Sequence, residues 1–226
     1  MIKNQLTGKI QSMEDRVYIR PRFRKLDDND YMTFWYSLRD ARAINAHGEF
    51  VLLRDVEVYQ ESQCFLIGHG IAGFAIHNDE MISVHKNNKK AQETAVCHIL
   101  PKMVRCAFKY GAKFGDCYGD FLANYYMSSG FIVVAKINFD DLEDNPKKWN
   151  YEKFGKPNCY LMMRGVKNIA ELDRLKEQGV IAGFDAVKDS IPAFKTYEEA
   201  EKYREELYNK IKVYGYKKRL EIVKNS

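Results

Sequence analysis

Side chains able to move protons or hold anions gather in the middle third of this chain. Glu80 and His85 lie five residues apart on a strand-like segment, Asp116 and Asp120 flank a second, and Tyr125 and Tyr126 follow on a short helical run. Carboxylates and imidazoles accept protons, and a phenol can donate one. Lysines Lys86, Lys89 and Lys90 follow the first segment, and Lys217-Lys218-Arg219 forms a basic tail. Such clusters can contact phosphates, although a charge run is also what a solvated face looks like. Cys117 and His98 raise thiol chemistry, but no spacing supports a triad, and a buried cysteine usually only packs. Cys64, Cys97, Cys106, Cys117 and Cys159 are odd in number and scattered, with no C-x-x-C pair. Neither a disulfide framework nor a metal site is indicated. No G-x-x-x-x-G-K-[ST] motif supports nucleotide hydrolysis.

The elements that must position these residues come from periodicity. Arg16 to Arg24 alternates large apolar or aromatic residues with arginine, as in a half-buried strand, with Pro21 suggesting an edge or bend. Asn29 or Asp30 caps a helix through Tyr31, Phe34, Trp35 and Leu38. Residues 41–61 give no firm assignment. Cys64–Ile67 and Ile71–Ile76 then form adjacent strands, and Asn78-Asp79 turns the second into a hairpin arm from Glu80 to His85. The polar Lys86–Lys90 run is expected to be flexible. Beyond it Ala95, Val96, Ile99, Leu100, Met103, Val104 and Ala107 predict one long helix, kinked at Pro101 and stopped near Gly111. Phe114–Gly119 is strand-like, Phe121–Met127 a short helix, and Phe131–Phe139 the most strand-like segment of all. A polar excursion from Asp140 to Pro157 precedes a strand at Cys159–Met163. Helices follow, one from Ala170 to Gln178 and one opened by the capping box at Thr196 and running to about Tyr214.

Hydrophobic residues are 46% of the 226 and charged residues 30%, the mixture of a globular protein with a real core. No apolar run approaches the ~20 residues that cross a bilayer, and the N-terminus lacks the apolar block of a secretory signal. A cytoplasmic protein without a membrane association is therefore expected. The formal charge of +5 is mild and interleaved with acids, which is weak support for nucleic-acid binding.

The order of hairpin strand, polar loop, long helix, strand, short helix and final strand, together with Asn124, Tyr126 and Gly130-Phe131, resembles the GNAT acetyltransferases over roughly Gly73 to Met163. The continuation through Trp149-Asn150-Tyr151-Glu152 and Pro157 is similar to small GNAT-like proteins encoded in phage and prophage genomes. The resemblance implies an α+β fold, a mixed and mostly antiparallel sheet flanked by helices. Residues 1–165 would form the acyltransferase domain and 166–226 a C-terminal helical extension packed on it. It also implies acetyl-CoA as acyl donor and direct attack by an amine. A helix N-terminus would hold the pyrophosphate. The family's loop aligns with Lys86-Asn87-Asn88-Lys89-Lys90-Ala91, departing from it at Lys86 and at Lys89, where glycine is usual. Val84, Lys86, Asn87, Asn88, Lys89, Lys90, Ala91 and Asn124 are the cofactor-binding residues so implied. Tyr126 falls where the family keeps a proton donor to the departing thiolate, and Glu80 and His85 are candidates to take the amine's proton. Each has a plainer reading: Tyr125 and Tyr126 as packing residues, Glu80 as a solvated acid, His85 as a hydrogen-bonded core histidine. Asp116 and Asp120 either orient the acceptor amine or cap the following helix.

Two other functions fit the same residues. One is a binding protein that keeps the fold without the chemistry and grips a host protein or nucleic acid through Lys86, Lys89, Lys90 and the basic tail. The other is a dimer or partner surface on the stripe Tyr197, Ala200, Tyr203, Leu207 and Ile211, for which packing on the chain's own sheet is the competing account.

Overall fold

The computed structural model describes residues 22–68, 70–93, 99–142 and 150–225. Its centre is the hairpin of β3 (Ala72–His77) and β4 (Glu80–Lys86). Asn78 and Asp79 both take positive φ, 47° and 64°. A two-residue turn of that hand matches the twist of the strands it joins, and short polar side chains tolerate it best. β2 (Gln63–Ile67) pairs antiparallel with β3, and the two-residue β1 (Arg24–Lys25) with β2. Most of the strand expected from Arg16 to Arg24 lies outside the described residues.

The pairing of β3 with β4 slips by one residue. Ala75 faces Ile82 while Gly73 faces His85, so β4 spends three steps where β3 spends two, and Ser83 sits at φ 52°. This is a β-bulge, and it resets the alternation of side chains along β4. His85 thereby points to the same side as Ile82 and Glu80.

On the far side of β4 the pairing becomes parallel and brief. Only Glu80↔Phe114 and Met81↔Gly115 join β4 to β5 (Phe114–Tyr118), although β4 runs on to Lys86 and β5 to Tyr118. The two strands part beyond those rungs. β5 pairs along its whole length with β7 (Cys159–Arg164), and β7 in turn with β6 (Phe131–Ile137). β8 (Ala193–Phe194) adds to β6 in parallel, giving an eight-stranded mixed sheet in the order β1-β2-β3-β4-β5-β7-β6-β8. The α+β architecture, mostly antiparallel and flanked by helices, follows the expectation from sequence.

Helices cover both faces. On one, α1 (Tyr31–Ile44) and the short α2 (Val56–Gln60) bury Phe34, Leu38 and Tyr59 against Cys64, Leu66, Ala75 and Ile82. On the other, α4 (Leu100–Lys109) and α5 (Asp120–Met127) bury Met103, Val104, Ala107 and Met127 against Phe65, Phe74 and the centre of the sheet. Of the long helix expected across Ala95–Ala107, the described part is α4, which begins at Leu100; α3 (Asn88–Glu93) precedes that span. Pro101 lies in the first turn of α4, where its missing N–H costs no hydrogen bond, so it starts a helix where a kink was expected. Ala95 and Val96 lie outside the described residues. The Lys86–Lys90 run, expected to be flexible, already contains the start of α3.

The unassigned stretch 41–61 holds the end of α1, a 3₁₀ turn at Gly48–Phe50 and α2. The short α6 (Tyr151–Phe154) precedes β7, and after β7 come α7 (Ile169–Glu177), α8 (Tyr197–Ile211) and α9 (Tyr216–Lys224). Thr196 caps α8 by accepting from the Glu199 N–H at 3.2 Å. The helix expected to reach Tyr214 ends at Ile211, and the chain turns into α9. Ala200, Leu207 and Ile211 are buried in this chain's own core. No helix among the described residues is long and apolar enough to cross a membrane.

Candidate functional site

The parting of β4 and β5 begins at a buried cluster of charge. Glu80, on the first rung of β4, and Asp116, one residue past the last rung of β5, face α8. Arg204 of α8 reaches down between them. Its side chain is 1% exposed, and Nη1 donates to Glu80 Oε1 at 2.6 Å and to the Gly115 carbonyl at 3.5 Å. Nη2 donates to Glu201 at 3.2 Å, and the guanidinium lies 4.6 Å from the centroid of Phe114. Only its Nε–H has no partner. An arginine this deep is tolerated because carboxylate, carbonyl and ring replace the water it gave up. Tyr197, one helical stretch earlier, donates its hydroxyl to Asp116 Oδ2 at 3.0 Å. Burial and then the Glu80 carboxylate push Asp116 above the usual carboxylate range, with Tyr197, Arg204 and Arg54 opposing that shift.

Neither Tyr197 nor Arg204 was singled out from sequence as a site residue. The available signal was slight. Arg204 occupies a core position of α8, between Ala200 and Leu207 at spacings of four and three, where a charge needs a partner.

Tyr126 lies on α5, 5% exposed, its ring edge-on to Phe131 at 5.7 Å. Burial holds its phenol protonated well above the usual range, reinforced by Cys117 and by Asp116. Its hydroxyl has no hydrogen-bond partner among the described residues. The packing role weighed from sequence is therefore real, and it coexists with a phenol that burial keeps protonated. Asp120 opens α5 and accepts from the Tyr160 hydroxyl at 2.6 Å, which makes it an anchor between helix and sheet. Cys117 is buried, and burial raises its thiol well above the usual range, so it is no thiolate nucleophile. His98 lies outside the described residues.

His85 is held apart from that cluster's hydrogen bonds. Nε2 lies 3.0 Å from Ser37 Oγ, Nδ1 lies 3.0 Å from the Ser83 carbonyl, and Phe34 stands edge-on at 5.2 Å. The carbonyl requires an Nδ1–H donor, which leaves Nε2 to accept from Ser37. Burial lowers its pKa to about 4 despite the Ser83 bond, with Lys90 adding to the depression. Gly73, its cross-strand partner, has room for nothing larger, since a Cβ there would lie 2.8 Å from His85 Cε1 and 2.7 Å from the Phe65 carbonyl.

The loop at the end of β4 is built from asparagines. Asn87, 1% exposed, accepts from the Lys90 N–H at 3.0 Å. Asn45, just after α1, accepts from the Asn88 N–H at 3.2 Å and donates to the Lys86 carbonyl at 2.6 Å. Ala91 is buried, and Val84 packs at the margin of the main core. Lys89 and Lys90 line an open depression of about 380 Å³ with Asp40, Ala43, Ile44 and Asn87. Asn124 lies elsewhere, on α5, where Oδ1 accepts from the Phe184 N–H at 2.9 Å and ties down the segment before β8. Thus Glu80 joins Asp116 in one cluster, His85 and the asparagine loop form a second locus towards α1, and Asn124 serves a third.

Among the described residues no group of three or more His, Cys, Asp or Glu side chains is arranged to hold a metal ion. Comparison with protein-family models finds no matching family, and comparison with curated proteins finds no matching sequence.

Proposed function

We propose that this protein transfers an acetyl group from acetyl-CoA to an amine by direct attack, as its resemblance to the GNAT acetyltransferases implies. The observation that carries the reading is the parting of two parallel neighbours, β4 and β5, after only two rungs. Strands that separate inside a sheet leave main-chain donors and acceptors facing one another across the gap. An extended arm with amide groups can add itself to such an edge as a further strand would. The pantetheine arm of coenzyme A has that chemistry. Beyond the end of β4, Lys89 and Lys90, which line a depression beside α1, would meet the phosphates with charge.

The donor supplies an activated thioester. The chain's own residues must free the amine of one proton and protonate the leaving sulfur. The nitrogen, as a neutral amine, forms its bond to the acyl carbon while the carbon–sulfur bond breaks, the one proton it loses passes to a base, and a proton delivered to sulfur completes the thiol, so that the base's proton makes good the donor's loss. Tyr126, kept protonated by burial of its side chain, is suited to give the sulfur its proton. The Glu80–Asp116 cluster supplies the base.

A second reading is favoured by one observation. Asn45 and Asn87 already satisfy the amides of Asn88 and Lys90, which a phosphate would otherwise recruit. That pattern suits a protein that keeps the fold and binds a macromolecule instead. The thermal midpoint with and without acetyl-CoA separates the two. Ligand at 100 times its Kd stabilises a fold by about 2.7 kcal/mol, which for a chain of this size is roughly 5–10 °C. Lys89→Glu should reduce the shift. No shift at millimolar acetyl-CoA, with salt-sensitive retention on DNA or RNA, would establish the binding protein.

A further inference from the structure

Residues 50–54, between the 3₁₀ turn at Gly48–Phe50 and α2, are anchored on one half of the sheet and touch the other. The anchors are all on the side of β4. Gly48 packs so closely on α1 that an added Cβ would lie 2.1 Å from the Arg42 carbonyl oxygen. Val51 and Leu53 pack on the cluster of Phe34, Leu38 and Tyr59. The Leu52 carbonyl accepts from Ser83 Oγ, at the bulge of β4, at 3.5 Å, and the Arg54 N–H donates to the Tyr59 hydroxyl at 3.2 Å. The Phe50 ring, however, reaches the strands beyond the parting. It lies 4.8 Å from the ring of Tyr118, three residues past the last rung between β4 and β5, and 6.5 Å from that of Phe139, in the turn after β6. These ring contacts therefore bridge the interval in which β4 and β5 have separated.

The same segment lies over the way to the acid cluster. Tyr118 stands two residues after Asp116 and so on the same face of β5. The Arg54 guanidinium is near enough to Asp116 to favour its charged form. The segment is lightly held between its ends. Among the described residues the Leu52 and Leu53 N–H groups donate to no acceptor, and Leu52 is 55% exposed. A stretch with so few main-chain bonds opens more readily than the strands beneath it.

We propose that residues 50–54 form a lid over the parting of β4 and β5, latched by Phe50 on Tyr118 and Phe139, and that the lid swings away to admit the acceptor amine to the Glu80–Asp116 cluster. This deepens the acyl-transfer reading by giving its site a gate, and it rests on that reading for what enters. Gly48 and Tyr59 hold the two ends, so the movement is confined between them. Opening exchanges two ring contacts for water and leaves the sheet intact. Each aromatic pair shifts an equilibrium by about two- to twelvefold, so removing the Phe50 ring should raise the open population about tenfold.

The test reads access to Asp116 directly, with a water-soluble carbodiimide and glycinamide as probe and peptide mass spectrometry as readout. Asp185, whose side chain is 93% exposed, is the internal standard. Relative to Asp185, Asp116 should label about tenfold faster in Phe50→Ala than in wild type. Phe50→Tyr, which keeps the ring, should restore the wild-type ratio, and Phe50→Leu takes the place of Phe50→Ala should that variant fail to fold. Alkylation of the buried Cys64 thiol should stay as slow as in wild type. An unchanged Asp116 ratio, or a Cys64 rate that rises in step with it, overturns the lid, the second because the whole fold has then loosened. Coenzyme A release from acetyl-CoA with an amine is followed on the same proteins. Turnover with an unchanged ratio leaves the transferase standing without its lid, whereas a tenfold ratio without turnover upholds the lid and removes the transferase.

Discussion

Replacing Arg204 with methionine tests the central claim that α8 holds the charges at the parting of β4 and β5. The substitution keeps the stem and removes the guanidinium. Its Glu201 bond contributes little, because Glu201 is 39% exposed and such pairs are worth about 0–1 kcal/mol. The Glu80 bond is different, with partners 1% and 15% exposed. Breaking a buried pair from one side leaves a bare charge and costs about 3–5 kcal/mol. For 226 residues each kcal/mol lowers the thermal midpoint by about 2–4 °C, so a fall of roughly 6–20 °C is expected. Adding Glu80→Gln should recover half or more of the loss, since the bare charge is then gone. The pH dependence supplies an independent check. Asp116 is raised in the folded state, so the fold binds more protons than the unfolded chain, and acidification through that window stabilises it. Arg204 lowers Asp116, hence its removal enlarges the effect. The penalty should shrink by about 1 kcal/mol between pH 7 and pH 5. Urea melts of the two single variants, the double variant and wild type at both pH values complete the cycle. A loss under about 1 kcal/mol, or a coupling energy under about 0.5 kcal/mol, would refute the reasoning.

Two further predictions concern the other loci. His85 has a folded pKa of about 4 against 6.5 when unfolded, so its neutral form contributes stability above pH 6.5 that is lost as pH falls towards 4, by about 3 kcal/mol in all. His85→Gln should abolish that slope in equilibrium unfolding, and an unchanged slope between pH 6.5 and 4 would place the acid sensitivity elsewhere. Tyr126→Phe removes a hydroxyl without a hydrogen-bond partner, so the melt should move by less than about 1 kcal/mol. Coenzyme A release with an amine acceptor should fall by about 100-fold, and turnover equal to wild type would reduce Tyr126 to packing.

Where the relevant physics is local, the residues were legible. Asn78-Asp79 between two apolar runs announces a hairpin, because few residues accept positive φ twice in succession. Thr196 and Glu199 announce the start of α8, and Gly130, at φ 107°, ends the turn that feeds β6. Glu80 and Asp116 stood out as acids on two strand-like segments. These signals need only neighbours within a few positions.

What tertiary structure alone decided depends on partners far apart in the chain. The bulge at Ser83 turns His85 to the α1 side, where a strict period of two would have placed it on the other. No local pattern reveals it, because the slip is a property of two paired strands. Pro101 seemed a kink in one helix, since an apolar repeat does not show where a helix begins. β8 is two residues long and exists only because β6 offers it an edge. Arg204 meets Glu80 across 124 residues of sequence. Its position within an apolar stripe signalled that a partner was required, but the identity of that partner was set by the way α8 packs on β6, β7 and β8 and carries Arg204 to the rung where β4 meets β5.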